Sequence, residues 1–472
     1  MKKIVFYLMA GILMAACTEQ IVDEEITLDD QSISLKSAKN NVTYTADAFL
    51  ILSDDMSDAM EDDIMKANGK IKRKHPEIGM YLVESDDLSF TKNAKKIKGV
   101  KYVLPDVQLQ WLEPNKSDEL QFVPMHLGSN EIYYGYQWSM DAIDAPGAWD
   151  KGYTGEGVRV FILDSGIDAE HPDLAPNLNT DLSISFVAGE DYNIQPGFYF
   201  NHGTHVAGTV AAADGPDLGG VDFGVVGVAP NAEIVAVKVL SEYTGSGGFS
   251  GIYSGIIYAA NNGADVINMS LGSQLPRNGF DVELPDGTIV EVKANEVAAY
   301  INAYQKAITY AYQKGVLVVT SAGNDAIDAN HTGNLVILPA SLNHLLAISA
   351  TGPYGIAFDP NTDPDIPASY TNYGQSLIDL AAPGGDFDYP GDYWWYDMVF
   401  STISNGWGFS AGTSMAAPHV AGTAALIIEK YDGNITPSQI ISILKQTSDD
   451  LGKPGKDAYY GHGRINASNA VE

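Results

Sequence analysis

The chain reads as an α/β protein: a doubly wound, largely parallel sheet preceded by a small α+β unit of the split βαβ kind. Three observations predict this. Short apolar runs at 158–163, 232–240, 264–271, 315–323 and 345–350 alternate with segments of helical spacing at 203–213, 250–262, 296–314, 414–430 and 437–446. These runs carry almost no polar alternation, which is expected of strands covered on both faces by helices. Residues 42–110 have a different texture, with shorter apolar stretches separated by a Met/Asp/Ala run and a Lys-rich run.

The elements follow in order. The N-terminus "MKKIVFYLMAGILMAAC" has two lysines, an apolar run too short to span a membrane, and small residues before Cys17, the pattern of an export signal. Residues 18–41 are acidic and aperiodic, as a solvated tether is. Within 42–110, "FLIL", the run 56–67, "IGMYLVES", the run 91–98 and "VKYVLPDVQL" read as β-α-β-β-α-β. Residues 111–140 show no clear element and are assigned to a linker. From 141 to 472 the strand–helix alternation forms one large domain, whose site is expected at the carboxyl ends of its strands. Within 274–300, "ELPDGTIVEV" predicts a hairpin with an Asp-Gly turn, either a surface feature or a wall of the cleft.

Composition narrows the function. With 60 acidic against 27 basic side chains and a formal charge of -33, the chain has no basic stripe and repels phosphate backbones, so nucleic acid is not an expected partner. Apolar residues make up 45% of the chain, enough for a large core. The single cysteine excludes any disulfide within the chain.

Four polar residues fall at the predicted carboxyl ends: Asp164 in "VFILDSGID", His202 in "NHGTHVAG", Asn324 in "VVTSAGND" and Ser414 in "GTSMAAPHVAG". Taken singly, each has an ordinary structural reading as a cap, a turn former or a buried polar group. Their joint placement on one edge is what points to chemistry. Ser410, in Gly-x-Ser-x-Gly, competes with Ser414 as a nucleophile, because that pattern marks a strand-to-helix elbow. The Gly- and Asn-rich "TISNGWGFSAG" does not read as the strand an elbow needs, and that choice leaves the four converging groups unexplained.

"VFILDSGIDAEHPDL", "NHGTHVAGTVAA", "VINMSLG", "TSAGND" and "GTSMAAPHVAG" resemble, in the same order, the signature blocks of subtilisin-like serine proteases. The resemblance implies a subtilisin-like fold and a serine endopeptidase that cuts polypeptide substrates. Asp164, His202 and Ser414 would be the triad, with Asn324 the side-chain oxyanion donor. No cofactor is needed for such chemistry. Gly245, Ser246 and Gly247 with Ser270, Leu271 and Gly272 match the two strands that grip an extended substrate. Phe249 and Ile252 match a subsite upstream of the cut, and Ser321, Ala322 and Gly323 match a wall of the primary pocket. Structural calcium is implied, with Asp173 at a ligand position and Asp222 near the usual calcium loop. The 42–110 unit resembles a ferredoxin-like inhibitory prodomain, its own chain's intramolecular inhibitor, with self-processing in the linker. Met14-Ala15-Ala16-Cys17 resembles a bacterial lipobox, implying an exported protein held in the cell envelope by a lipid on Cys17; an ordinary secretory signal is the alternative. A catalytically silent peptide-binding or adhesion protein on the same scaffold is the competing function.

Overall fold

The computed structural model describes residues 42–112, 131–194, 201–215, 223–283 and 289–472. The first unit runs β1 (Val42–Ser53), α1 (Asp58–Lys66), β2 (Lys70–His75), β3 (Met80–Glu84), α2 (Phe90–Ala94) and β4 (Val100–Gln110). Its strands are ordered β2-β3-β1-β4 and pair antiparallel. β3 shows why this small sheet has no solvent face. Its side chains alternate, so Tyr81 and Val83 meet Met60, Ile64 and Phe90 on the helix side, whereas Met80 and Leu82 join the core of the larger domain.

The larger domain opens with two short helices, α3 (Trp138–Ala142) and α4 (Ala145–Trp149). There follow β5 (Arg159–Asp164), β6 (Ile184–Ser185), α5 (His202–Ala211), β7 (Glu233–Lys238), β8 (Ser246–Gly248), α6 (Phe249–Asn261) and β9 (Val266–Met269). Next come β10 (Ser273–Pro276), β11 (Gly279–Glu283), β12 (Ile289–Lys293), α7 (Ala294–Gln313), β13 (Leu317–Ser321), β14 (Leu335–Leu338) and β15 (Leu346–Gly352). β16 (Ile366–Pro367), β17 (Leu380–Pro383), β18 (Val399–Ile403), β19 (Gly406–Ser410), α8 (Thr413–Lys430), α9 (Pro437–Thr447) and α10 (Ala467–Ala470) complete the chain.

The main sheet has the order β16-β15-β13-β9-β5-β7-β6, with β17 on β15, and every pairing but that of β16 is parallel. Alternation again sorts the side chains. Phe161, Leu163, Val235, Val237 and Ile267 pack towards α6 and α7, while Val160, Ile162, Ile234, Ala236 and Val266 pack towards α5 and α8. The predicted α/β class is the observed one. α8 lies within the second core, buried along nearly its whole length, and its Ala- and Gly-rich composition permits that close approach. At α9, Thr436 and Gln439 form a capping box with Pro437 in the first turn, so this exposed helix begins where the sequence says it should.

Two readings need correction. The stretch 111–140 is not all linker: Trp111 and Leu112 are buried, and 131–142 packs on the larger domain. There Gln137 bonds the Val226 backbone through both ends of its amide, at 2.8 and 3.0 Å. Second, a strand does precede Ser410, but it is β19 of an antiparallel hairpin with β18, and Ala411 and Gly412 intervene before α8 begins at Thr413. Ser410 is the last residue of that strand, still paired with Val399, and its φ is not positive, so it does not sit on the sharp, strained turn of an elbow. The 274–300 insertion holds the expected hairpin, β11–β12, and the first turns of α7. Its Asp-Gly turn lies outside the described residues, as do Cys17 and Asp222.

Candidate active site

β5 delivers Asp164 at its carboxyl end, and α5 begins with His202. Both are buried, and His202 Nδ1 lies 2.9 Å from Asp164 Oδ1 and 3.0 Å from Oδ2. The residue after His202 must be glycine. A Cβ at Gly203 would sit 2.2 Å from the Gly166 carbonyl and 3.1 Å from Asp164 Cβ, so only a bare backbone lets α5 approach the end of β5. Ser165 fastens the same junction: its N–H donates to Asp164 Oδ1 at 2.6 Å and its hydroxyl accepts from Gly203 N–H at 3.2 Å.

Ser414 lies in the first turn of α8, where backbone N–H groups have no partner within the helix. Pro418, four residues on, cannot donate to the Ser414 carbonyl. Ser270 Oγ supplies the missing donor at 2.7 Å, and Ser414 Oγ donates in return to the Ser270 carbonyl at 3.3 Å. The proline thus frees an acceptor that Ser270, just beyond β9, uses to fix the helix start. Asn324 approaches from the end of β13. Its Oδ1 accepts from Thr413 N–H at 2.9 Å and Thr413 Oγ at 2.7 Å, which fixes the amide and leaves its NH2 as the free donor. Gly412 keeps that side open, for a Cβ there would stand 3.3 Å from Asn324 Nδ2.

The predicted substrate segments lie along the same edge. Gly247 and Ser246 pair with Leu109 and Gln110 of β4, so β8 extends the small sheet by one strand. Trp111 N–H and Leu112 N–H then donate to the Gly245 carbonyl at 3.3 and 3.2 Å, and Gly272 N–H donates to the Trp111 carbonyl at 3.2 Å. The chain's own segment therefore lies as an added strand between Gly245–Gly247 and Ser270–Gly272. Leu271 is buried, and its carbonyl accepts from Ser321 Oγ at 3.3 Å. Ala322 is fully buried, and Gly323 has φ +100°, with Asn372 Nδ2 only 2.3 Å from where a Cβ would be.

Phe249 and Ile252 are fully buried. Phe249 stacks on Tyr300 at 4.8 Å and meets the Trp111 ring edge-on at 5.6 Å, with Tyr304 at 6.4 Å from Trp111. Trp111 Nε1 donates to the Gly247 carbonyl at 2.8 Å. Trp111, Tyr300 and Tyr304 were absent from the sequence reading. The continuing strand texture after Leu109 and the four-residue spacing of the two tyrosines on α7 were the available signals.

Asp173 is wholly buried. Its Oδ2 accepts from Val225 N–H at 3.0 Å and Trp407 Nε1 at 2.7 Å, while Oδ1 has no partner. Burial pushes its carboxyl up to about 6, against those two bonds. Among the described residues no three His, Cys, Asp or Glu side chains cluster as a metal site would need, and no helix is long and apolar enough to cross a membrane.

Comparison with known proteins identifies the family. The subtilase family model matches residues 155–463. The chain is 32% identical over 401 residues to the thermophilic serine proteinase of Bacillus sp. (strain AK1), covering 84% of this chain and 82% of that protein. It is 38% identical over 323 residues to subtilisin DY of Bacillus licheniformis, covering 68% of this chain and 93% of that one. In fold it is similar to the epidermin leader peptide processing serine protease of Staphylococcus aureus, with a TM-score of 0.69 at 23% identity, covering 92% of this chain and 98% of the other. The chain therefore belongs to the subtilase family, the subtilisin-like serine endopeptidases.

Proposed function

We propose that Asp164, His202 and Ser414 are the catalytic triad of this endopeptidase and that Asn324 is its oxyanion donor. His202 accepts the Ser414 proton as Oγ bonds to the scissile carbonyl carbon, then gives it to the leaving amine as the C–N bond breaks. Water repeats the sequence on the acyl-enzyme. Asp164 holds the imidazole tautomer, and the oxyanion accepts from Asn324 Nδ2 and from Ser414 N–H at the positive end of α8. The observation that carries this reading is the buried Asp164–His202 pair, at 2.9 and 3.0 Å, on the edge that also presents Ser414 and the fixed Asn324 amide. Ser414 Oγ turns to the Ser270 carbonyl here, and such bonds often tighten only in the substrate complex. A serine-directed fluorophosphonate should label the wild type and S410A but not S414A; labelling of S414A that is lost in S410A would refute the assignment and favour Ser410, and no labelling of the matured wild type would favour the silent scaffold.

The 42–112 unit is assigned as an inhibitory prodomain. Support comes from Trp111 and Leu112 lying strand-like in the cleft and from Asp106 accepting from Ser250 N–H at 3.1 Å at the start of α6. Self-processing then falls beyond Leu112. Incubating wild type beside S414A and reading new N-termini tests it. Asp173 fits a structural calcium, because one of its buried oxygens is without a partner and hard oxygen suits that ion. Export with a lipid on Cys17 is the proposed localisation, and intact mass of the wild type against C17S checks it.

A further inference from the structure

The hairpin β11–β12 has one apolar face. Its register sets Phe280 opposite Val292 and Val282 opposite Val290, so all four side chains fall on one side, while Asp281 opposite Glu291 faces away. An isolated two-stranded hairpin is marginal in water, so this face needs cover. α7 supplies part of it, and β1 of the 42–112 unit packs against β11. Val282 and Val292 are each 1% exposed and share a core cluster with Ala48, Leu50 and Leu104 of that unit. Two polar ties flank the contact: Lys95 Nζ meets Glu296 Oε1 at 3.5 Å in the first turn of α7, and Lys306 Nζ donates to the Ile78 carbonyl at 3.4 Å.

We propose that the hairpin is a docking arm for the 42–112 unit, holding strand β1 at a surface separate from the peptide cleft. The insertion is thus neither decoration nor a cleft wall. Its apolar face is matched to β1, and its charged face keeps the arm soluble. Two anchors, cleft and arm, act on one rigid unit, so severing the chain beyond Leu112 leaves the unit seated by the arm even when Trp111 leaves its pocket. The consequence for latency rests on the inhibitor reading; the docking does not.

The test is amide hydrogen exchange on the full chain carrying S414A, which cannot cut itself, compared with the same chain bearing F280S and V290S. Exchange in β1 and β4 should rise roughly tenfold or more, because the arm's apolar burial is lost, while amides of α8 keep their protection. A second variant replaces 279–293 by a short Gly/Ser loop and should do the same, which guards against a local misfold of the serine variants. Unchanged exchange in β1 and β4 in both variants, with α8 protected, overturns the proposal. Full peptidase activity of uncut wild type would instead sink the inhibitor reading, since the exchange readout is independent of inhibition.

Discussion

On the proposed reading Asn324 has two separable jobs, and one pair of substitutions can divide them. Its Oδ1 holds Thr413 through two bonds, at 2.9 and 2.7 Å, while Nδ2 is left for the oxyanion. Asn324→Asp keeps the acceptor and removes the donor; Asn324→Ala removes both. Loss of the oxyanion donor should lower kcat by roughly 100- to 1,000-fold with little change in KM, a figure that was itself obtained on a subtilisin. The aspartate should be at the severe end, because its charge would face the developing oxyanion. Stability separates the two variants. Alanine forfeits two hydrogen bonds at about 0.5–1.5 kcal/mol each, so about 1–3 kcal/mol, whereas aspartate should stay close to wild type. The assay is steady-state hydrolysis of a chromogenic peptide by the matured enzyme, beside urea melts of each variant in the S414A background. If Asn324→Asp kept kcat within about threefold of wild type, or lost activity only through KM, the oxyanion assignment would be wrong.

Further outcomes are expected. Gly203→Ala should abolish activity and destabilise the fold, because backbone 2.2 Å from the new Cβ cannot move without separating His202 from Asp164; near-normal turnover would contradict the packing argument. Trp111→Ala empties an aromatic pocket and deletes the bond to Gly247, so the 42–112 unit should be held more weakly by about 3–5 kcal/mol, checked by exchange at β4 in S414A. His205 and His419 are buried, and burial pushes them down to about 3 and about 4, so both are neutral when folded. The unfolded chain takes up their protons below about pH 6.5, so their stabilisation is present above that pH and is lost as pH falls towards 4, by about 1.4 kcal/mol per pH unit for each. Asp106 and Asp173, raised to about 6, act in the opposite sense, so the readout is the pH slope of wild type minus His419→Gln in urea melts, and a flat difference would refute it. Asp173→Asn should erase any rise in Tm that calcium gives the wild type; an equal rise in both would place the ion elsewhere.

The sequence by itself determined the class of fold and the edge on which the proposed catalytic residues fall. Uninterrupted apolar runs such as "VFIL" require helices on both faces, parallel strands then put their carboxyl ends on one edge, and Asp164, Asn324 and the starts of α5 and α8 fall there. Proline was also legible in principle, since Pro418 acts on Ser414 four residues away, whereas the need for glycine at 203 comes from the Gly166 carbonyl, 37 residues distant. Tertiary structure alone decided which groups meet across distance. The bond between Ser270 and Ser414 spans 144 residues, and no local pattern encodes it. Ser410 was settled by its strand partner Val399, because an antiparallel hairpin and an elbow share the same five letters until the pairing is known. The strand-like lie of Trp111 between Gly245 and Gly272, and the packing of β1 against β11, depend on how two separately legible units pack. Burial is a property of the pair, and a side chain's own sequence neighbourhood does not carry it.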